Sequence, residues 1–278
     1  MKAESKQENI MLWNAKNGEV DLGVSKMSYA SFGHGPKTLI ILPGLSDGLA
    51  TVRGKALLLA APYRPYLNDF TIYMFSRKDE MPEGYSIRDM AADQARAMQE
   101  LGIPRYSVMG VSQGGMIAQL LAALCPENVE KLVIAVSAPC INDMIRENIH
   151  RWIDLAKRGD HKQLMIDTAE RSYSPKYLEK YRKMYPLLGH VGKPKDYRRF
   201  MVNAEAILSF DARKKLEKIC CPTLILGGKE DKTVGHDASY ELHERIAGSE
   251  LYMYDGLGHA AYEEAADFND RVFRFLAE

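Results

Sequence analysis

Short apolar runs alternate with amphipathic stretches along the first half of the chain. Residues 38–42 (Thr-Leu-Ile-Ile-Leu) and 131–136 (Lys-Leu-Val-Ile-Ala-Val) are nearly continuous apolar runs, typical of strands that are buried on both faces. Residues 86–101 instead repeat their apolar positions at helical spacing, begin with a Ser-x-x-Asp capping sequence and stop at Gly102. Strand and helix patterns in alternation predict a parallel sheet with helices on both faces.

The same criteria locate the remaining elements. Further strands are predicted at residues 26–32, 70–75, 106–111, 222–226 and 250–254, and further helices at 49–61, 114–124 and 261–276. The predicted fold class is therefore α/β, with a gap in the alternation between the strands at 131–136 and 222–226.

Residues 141–203, which fill this gap, have a different character. Strand patterns are missing there, and the segment holds 14 Lys and Arg against 8 Asp and Glu, a net charge of +6. We expect three helices in it, one of which begins at Ser174-Pro175. The sequence thus predicts a core made of residues 1–140 and 204–278, interrupted by a helical cap over 141–203.

Tyrosines recur within the predicted cap. Tyr177, Tyr181 and Tyr185 are spaced four residues apart, with Tyr173 just before them. This spacing is typical of the buried face of a helix, and the alternative is the lining of an aromatic pocket. The excess positive charge has two explanations as well, an anionic substrate or simply solvated helices.

Composition and charge exclude several classes of protein. The 278 residues contain 37 Lys and Arg and 37 Asp and Glu, which disfavours a nucleic-acid-binding protein, since that would need a basic excess. The longest uncharged run, residues 106–126, contains two serines and two glutamines and is too polar to predict a membrane span. Residues 1–9 are polar, without the apolar stretch of a signal peptide, so we expect a cytoplasmic protein.

The cysteines and histidines indicate neither a disulfide framework nor a metal site. Cys125, Cys140, Cys220 and Cys221 form no C-x-x-C pair, and they are expected to be free thiols. His243-Glu244 lacks the second histidine of a zinc-binding H-E-x-x-H sequence. We therefore expect neither a metal nor a cofactor.

The sequence Gly110-Val111-Ser112-Gln113-Gly114 lies where a predicted strand meets a predicted helix. This is the G-x-S-x-G nucleophile elbow in the context that it requires. The sharp turn forces the serine into a strained backbone conformation, and the glycines on either side leave room for it. The alternative is a phosphate-binding turn, but Met116 stands where a P-loop has its lysine.

A serine nucleophile needs a base and an acid that orients the base. His259 follows the last predicted strand in Gly256-Leu257-Gly258-His259, and Asp231 follows the strand at 222–226. Both are expected at the carboxyl edge of the sheet, where catalytic groups meet in α/β folds. Glu230 and Asp143 remain alternative acids.

An oxyanion hole needs two backbone N–H groups that point at one position. The residue after the nucleophile, Gln113, would supply one of them. The loop after the strand at 38–42 would supply the other, and since Pro43 has no N–H, Leu45 is the expected donor.

These motifs together resemble the α/β-hydrolase superfamily, in particular its capped esterase-like members. The resemblance extends over about residues 18–276 and implies an eight-stranded, mostly parallel sheet with a helical cap inserted after strand six. It also implies Ser112 as nucleophile, His259 as base, Asp231 as acid, and Leu45 and Gln113 as N–H donors. Many members carry His-Gly where this chain has Pro43-Gly44, so no subfamily is assigned.

The resemblance implies an enzyme that cleaves a small-molecule carboxylic ester or related acyl compound through an acyl-enzyme. A serine at the elbow excludes the haloalkane dehalogenase and epoxide hydrolase branches, which use aspartate there. Acyl transfer, thioester cleavage and C–C bond hydrolysis on the same triad remain alternatives. A further alternative is a ligand receptor that hydrolyses slowly.

Overall fold

The computed structural model describes residues 12–278, and the polar N-terminus discussed above lies outside them. Within this range the strands are β1 (Lys16–Asp21), β2 (Lys26–Gly33), β3 (Lys37–Leu42), β4 (Phe70–Phe75), β5 (Tyr106–Val111), β6 (Val129–Ala135), β7 (Thr223–Gly228) and β8 (Glu250–Tyr254). The α-helices are α1 (Ala56–Ala60), α2 (Ile87–Glu100), α3 (Gln113–Leu124), α4 (Asp143–Lys157), α5 (His161–Ser172), α6 (Pro175–Tyr181), α7 (Arg198–Leu208), α8 (Asp237–Arg245), α9 (Ala261–Glu264) and α10 (Phe268–Ala277).

The eight strands form a single sheet in the order β1-β2-β4-β3-β5-β6-β7-β8. β2 runs antiparallel to β1 and β4, and every other neighbouring pair is parallel. Every residue of β5 and β7 is buried, because helices cover both faces of the sheet. The predicted α/β class with an eight-stranded, mostly parallel sheet is confirmed.

Strand β1 was not among the elements predicted from the residues. Its sequence, Lys-Asn-Gly-Glu-Val-Asp, buries only Val20, so it lacks the apolar alternation by which strands are recognised. It is an edge strand that pairs with β2 alone. Pairing with a neighbour therefore creates this strand, and its own side chains contribute little.

Two predicted helices differ from the observed ones. The helix expected over 49–61 begins only at Ala56, because Gly54 adopts a φ of +75° before it, and a 3₁₀ helix with two prolines follows at Ala61–Tyr66. The closing helix expected over 261–276 is broken at Ala265, which is extended. The break separates α9 from α10, whose apolar face packs on the sheet with Phe268, Val272 and Phe275.

Four α-helices and two 3₁₀ helices (Arg182–Leu187 and Leu216–Lys218) lie between β6 and β7, where three helices were predicted. Helix α7 continues to Leu208, beyond the predicted boundary at 203. Helix α4 buries Ile145, Ile149 and Trp152 in the same apolar cluster as the α2 and α3 side of the sheet. The inserted helices are thus packed on the core as well as on each other.

None of the described helices combines the length and apolarity that crossing a membrane requires.

Candidate active site

Ser112 lies in the sharp turn between β5 and α3. Its backbone has φ 55° and ψ −120°, a conformation that costs a non-glycine residue about 1–3 kcal/mol. A Cβ on Gly110 would collide with the carbonyl of Gly114, and a Cβ on Gly114 would collide with the carbonyl of Leu42. The two glycines of the motif are therefore required by close backbone contacts on either side of the serine.

The structure brings Ser112, His259 and Asp231 into one hydrogen-bonded chain. The Ser112 hydroxyl oxygen lies 2.8 Å from Nε2 of His259, and Nδ1 of the same ring lies 2.8 Å from Oδ2 of Asp231. His259 is 7% exposed and Asp231 is 5% exposed, so solvent competes little for these bonds. The arrangement can transfer a proton from the hydroxyl to the imidazole while the carboxylate holds the ring.

The loop after β7 fixes the Asp231 carboxylate from behind. Its Oδ1 accepts hydrogen bonds from the backbone N–H groups of Thr233 (2.8 Å) and Val234 (2.9 Å), which leaves Oδ2 for the histidine. The two alternative acids lie elsewhere. Asp143 is an exposed residue at the start of α4, and the exposed Glu230 contacts Leu257 only through its backbone N–H.

The predicted N–H donors lie on the two backbone segments beside Ser112. Gln113 is the first residue of α3, and Leu45 is the first residue of a 3₁₀ turn (Leu45–Gly48). N–H groups in the first turn of a helix have no acceptor within that helix. A Cβ on Gly44 would lie 3.3 Å from the Ser112 Cβ, so the β3 loop runs directly against the elbow.

A small cavity opens beside Ser112, between the core and the inserted helices. The space inside it that a water-sized sphere can occupy is about 20 Å³. Its walls carry no charged side chain and are formed by Leu45, Ser112, Met116, Ile145, Asn148, Ile149, Trp152, Ile207, Thr233 and Val234. We call it the Ser112 chamber.

Two polar side chains interrupt the apolar wall of the Ser112 chamber. The amide nitrogen of Asn148 donates to the carbonyls of Lys232 and Thr233, so its nitrogen is already engaged by the loop. The Thr233 hydroxyl is buried and has no hydrogen-bond partner among the described residues. The chamber can therefore hold an apolar group, and the Thr233 hydroxyl can bond a polar atom next to that group.

The tyrosine row does not form the buried face of α6, although Tyr173 lines a surface groove. The rings of Tyr173, Tyr177 and Tyr181 stack at centroid distances of 4.3 and 4.1 Å on the outer side of α6, and Tyr181 is 36% exposed. Helix α6 buries Leu178 instead and ends at Tyr181, so Tyr185 leaves the row and its hydroxyl donates to Glu170. None of the four tyrosines lines the Ser112 chamber.

Two residues that directly follow β6 support the elbow, and the sequence analysis did not predict them. Val136 has a φ of 45°, which is unfavourable for a β-branched residue and which no sequence pattern indicates. Next to it, the Ser137 hydroxyl donates to the Ser112 carbonyl at 2.8 Å. A Cβ on Gly115 would lie 2.6 Å from the Ser137 Cβ, so this contact also explains the second glycine after Ser112.

The described residues form no disulfide and no metal site. All four cysteines are free, and burial raises the pKa of Cys125 and Cys221. Across residues 12–278, no group of three His, Cys, Asp or Glu side chains is arranged to hold a metal ion. A larger surface groove, between the C-terminal ends of α2 and α3, contains none of the triad residues.

The chain is similar in sequence to known hydrolases. A family model for the alpha/beta hydrolase fold matches residues 37–266. The 2-hydroxy-6-oxononadienedioate/2-hydroxy-6-oxononatrienedioate hydrolase 2 of Pseudomonas putida is 28% identical, over 94% of this chain and 94% of its own. A putative carbamate hydrolase of Azorhizobium caulinodans is 28% identical, over 88% of this chain and 93% of its own.

Solved structures share the fold over nearly the full chain. An alpha/beta hydrolase enzyme from a Medee basin deep-sea metagenome library matches with a TM-score of 0.81 and 19% identity, over 94% of this chain and 98% of its own. The enol-lactonase from Burkholderia xenovorans LB400 matches with a TM-score of 0.78 and 22% identity, over 94% of this chain and 100% of its own. At these identities the likeness establishes the fold alone.

Proposed function

The chain belongs to the α/β-hydrolase family and is an enzyme, and from this premise we propose that it is a serine hydrolase acting on a carboxylic ester or related acyl compound. The observation that carries the proposal is the continuous chain of hydrogen bonds from Ser112 through His259 to Asp231, with both distances at 2.8 Å. A protein that only binds its ligand has no need to hold these three groups in such a geometry.

The reaction would proceed in two halves through an acyl-enzyme. His259 takes the Ser112 proton as the hydroxyl oxygen attacks the acyl carbon, and then gives that proton to the leaving alcohol. A water molecule next attacks the acyl-enzyme with His259 as base. His259 returns that proton to the Ser112 oxygen as its bond to the acyl carbon breaks, and the acid product leaves. Asp231 keeps the imidazole in the tautomer that leaves Nε2 free to accept the proton, and it stabilises the imidazolium that forms.

The backbone N–H groups of Leu45 and Gln113 would bind the oxyanion of each tetrahedral intermediate. Both belong to the first residue of a helical turn, where N–H groups lack internal partners and the helix end favours negative charge. In serine hydrolases, removing one such donor lowers kcat about 10²- to 10³-fold.

The Ser112 chamber supports a short, uncharged acyl group as the part of the substrate held next to the nucleophile. Its volume of about 20 Å³ is room for little more than one water molecule, so its walls exclude a long acyl chain. Its aliphatic walls stabilise an apolar group by removing it from water. In this proposal the inserted helices act as a cap, because α4 and α7 supply the walls that face Ser112.

C–C bond hydrolysis is the second candidate, because the Pseudomonas putida relative is named for such a substrate class. That name denotes a dicarboxylate, and a buried carboxylate needs a cationic partner. The residues that line the Ser112 chamber include no Lys, Arg or His. This favours the uncharged ester.

A panel of p-nitrophenyl esters and thioesters of graded acyl length tests the proposal. We expect kcat/KM to be greatest between acetyl and butyryl and to fall at least about tenfold at octanoyl, since the walls resist longer chains. Transfer of the acyl group from a thioester to an added thiol in preference to water would indicate acyl transfer. Failure to cleave any member, with turnover of an uncharged analogue of a C–C substrate, would contradict the ester proposal.

A further inference from the structure

A buried polar cluster lies behind the two proposed oxyanion donors, and the triad does not use it. Three of its side chains come from different parts of the core. These are Asp47 in the β3 loop (2% exposed), Arg77 after β4 (1% exposed) and Gln113 at the start of α3 (0% exposed). The fourth, Arg199, comes from the inserted helix α7. We call these four residues the Arg77 cluster.

Arg77 connects the backbone segments that carry the two donors. Its Nη2 donates to the side-chain oxygen of Gln113 at 3.0 Å, and its backbone N–H donates to Oδ2 of Asp47, also at 3.0 Å. Gln113 is itself one proposed donor, and Asp47 lies in the same 3₁₀ turn as Leu45, the other donor. The separation between the two donors is therefore set through Arg77.

Arg199 ties helix α7 to the same group. Its Nη2 donates to Oδ2 of Asp47 and to the carbonyl of Arg77, both at 2.8 Å, and its Nε donates to the carbonyl of Asp47 at 3.1 Å. Its Nη1 donates to the carbonyl of Lys78 at 2.8 Å. One guanidinium thus holds the Leu45 turn against the end of β4, with a planar donor geometry that lysine does not have.

Two other contacts join α7 to the donor segments. The side-chain nitrogen of Gln113 donates to the carbonyl of Asn203 at 2.6 Å. A Cβ on Gly48 would lie 2.8 Å from the Cα of Phe200, so the Leu45 turn and α7 pack backbone to backbone. Both donor segments therefore depend on the position of a single helix of the insertion.

We propose that Arg77 and Arg199 are positioning residues that assemble the oxyanion hole only when α7 is seated on the core. The proposal rests on the assignment of Leu45 and Gln113 as donors. It makes the inserted segment part of the catalytic geometry in addition to its role as a wall of the chamber. A displacement of about 1 Å at such a site lowers the rate about a hundredfold, so the loss of these contacts is felt mainly in the transition state.

The charges of the Arg77 cluster, like its hydrogen bonds, favour binding of the oxyanion. The guanidinium of Arg199 pairs with the Asp47 carboxylate, whereas that of Arg77 donates to the uncharged Gln113 amide, which leaves a positive excess in the cluster. Burial lowers the pKa of Arg77 to about 10, with Asp47 opposing that shift, so the guanidinium stays protonated at neutral pH. A buried positive excess favours an oxyanion over the uncharged ester carbonyl.

The test compares Arg199→Ala with Arg198→Ala, which removes the same charge from the neighbouring, exposed position of α7. For each folded variant we would measure kcat and KM for an ester that the wild type cleaves. The inhibition constant of a phenylboronic acid, which forms a tetrahedral adduct with the serine, would be measured alongside them. We expect Arg199→Ala to lower kcat about 10- to 100-fold with little change in KM, and to weaken boronate binding by a similar factor. Arg198→Ala should match the wild type within about twofold.

Arg199→Lys serves as a second variant, which keeps the charge but cannot reach all the acceptors. It should lose activity like Arg199→Ala. If Arg199→Ala fails to fold, the kinetics of Arg199→Lys decide whether Arg199 positions the oxyanion hole. Kinetics and boronate binding equal to those of Arg198→Ala in the folded variants would overturn the inference. So would a loss that falls on KM alone. A wild type that cleaves no ester and forms no boronate adduct would instead contradict the proposed function.

Discussion

The loops at the carboxyl edge of the sheet and the inserted helices contribute to the site in different ways. The loops place individual atoms, such as the Ser112 hydroxyl and the His259 imidazole nitrogen 2.8 Å apart. The inserted helices α4 and α7 contribute mainly shape, in the form of aliphatic walls around the chamber. In the Arg77 cluster a residue of the inserted helices, Arg199, binds directly to the loop that carries Asp47.

This difference predicts how each region responds to substitution. A change in the loops removes a chemical group whose position cannot be taken over by another, so the rate falls by orders of magnitude for every substrate. Under the proposed function, a change in the walls should alter only which acyl groups fit, so we expect a modest effect that depends on the substrate.

The largest effect is expected for Ser112→Ala. Without the nucleophile, kcat should fall about a millionfold, as it does when the serine of a comparable triad is removed. The variant should fold, because alanine fits the same tight turn, and thermal unfolding would check this. Residual turnover within a hundredfold of the wild type would show that another group is the nucleophile.

Asp231→Asn is expected to have the next largest effect. The amide keeps the shape but favours the wrong imidazole tautomer, which lowers kcat about ten-thousandfold in the serine-protease template, so we expect several orders of magnitude with KM little changed. The controls Asp143→Asn and Glu230→Gln should each lower kcat about tenfold or less. If Asp143→Asn were the crippling change, the acid would be misassigned.

A substitution in the wall of the Ser112 chamber tests the contribution of the inserted helices. Ile149→Ala enlarges the Ser112 chamber and should raise kcat/KM for octanoyl relative to acetyl esters about tenfold. Ile153→Ala, on the same helix and equally buried but outside the chamber, is the matched control. Both should destabilise the protein by about 2–5 kcal/mol, and only the first should change the preference.

The inserted helices should also respond to acid through Asp167. Burial alone would raise the pKa of this carboxyl, but hydrogen bonds from Arg171, Trp152 and Arg151 outweigh burial and hold its pKa below its usual range. A lowered pKa in the folded state stabilises the protein above the ordinary pKa and ceases to do so as pH falls through the lowered value. The Tm difference between wild type and Asp167→Asn should therefore be present at pH 7 and shrink below about pH 4. A constant difference would exclude a charge effect.

The smallest effect is expected for Tyr181→Ala. The residue lies in the exposed stack on α6 and does not line the Ser112 chamber, so relative kcat/KM across acyl lengths should stay within about twofold. Discrimination that changes as much as in Ile149→Ala would show that the tyrosine row reaches the substrate after all.

The chemistry of the loops was readable from the sequence because each group stands in a short, local motif. The elbow around Ser112, the loop position of Asp231 and the Gly-His sequence at His259 follow from turn geometry and the order of strands. The buried strands were equally clear, since their apolar runs reflect a sheet covered on both faces.

The contribution of the inserted helices was not readable in the same way. A helix buries one face whether it packs on the core or lines a cavity, so the sequence could not tell that Ile145 and Trp152 meet Ser112 while the tyrosine row lies outside. The Arg77 cluster joins residues that are up to 152 positions apart, and no local pattern marks such contacts. Long-range packing, and not a local sequence motif, determines the chamber walls and the Arg77 cluster.

The most direct test of the central claim is to label the folded wild-type protein with a fluorophosphonate and to locate the adduct by mass spectrometry. We expect a single adduct on Ser112, which requires the serine, the histidine and the oxyanion donors to act together. An adduct on any other residue, or none on a protein shown to be folded, would contradict it.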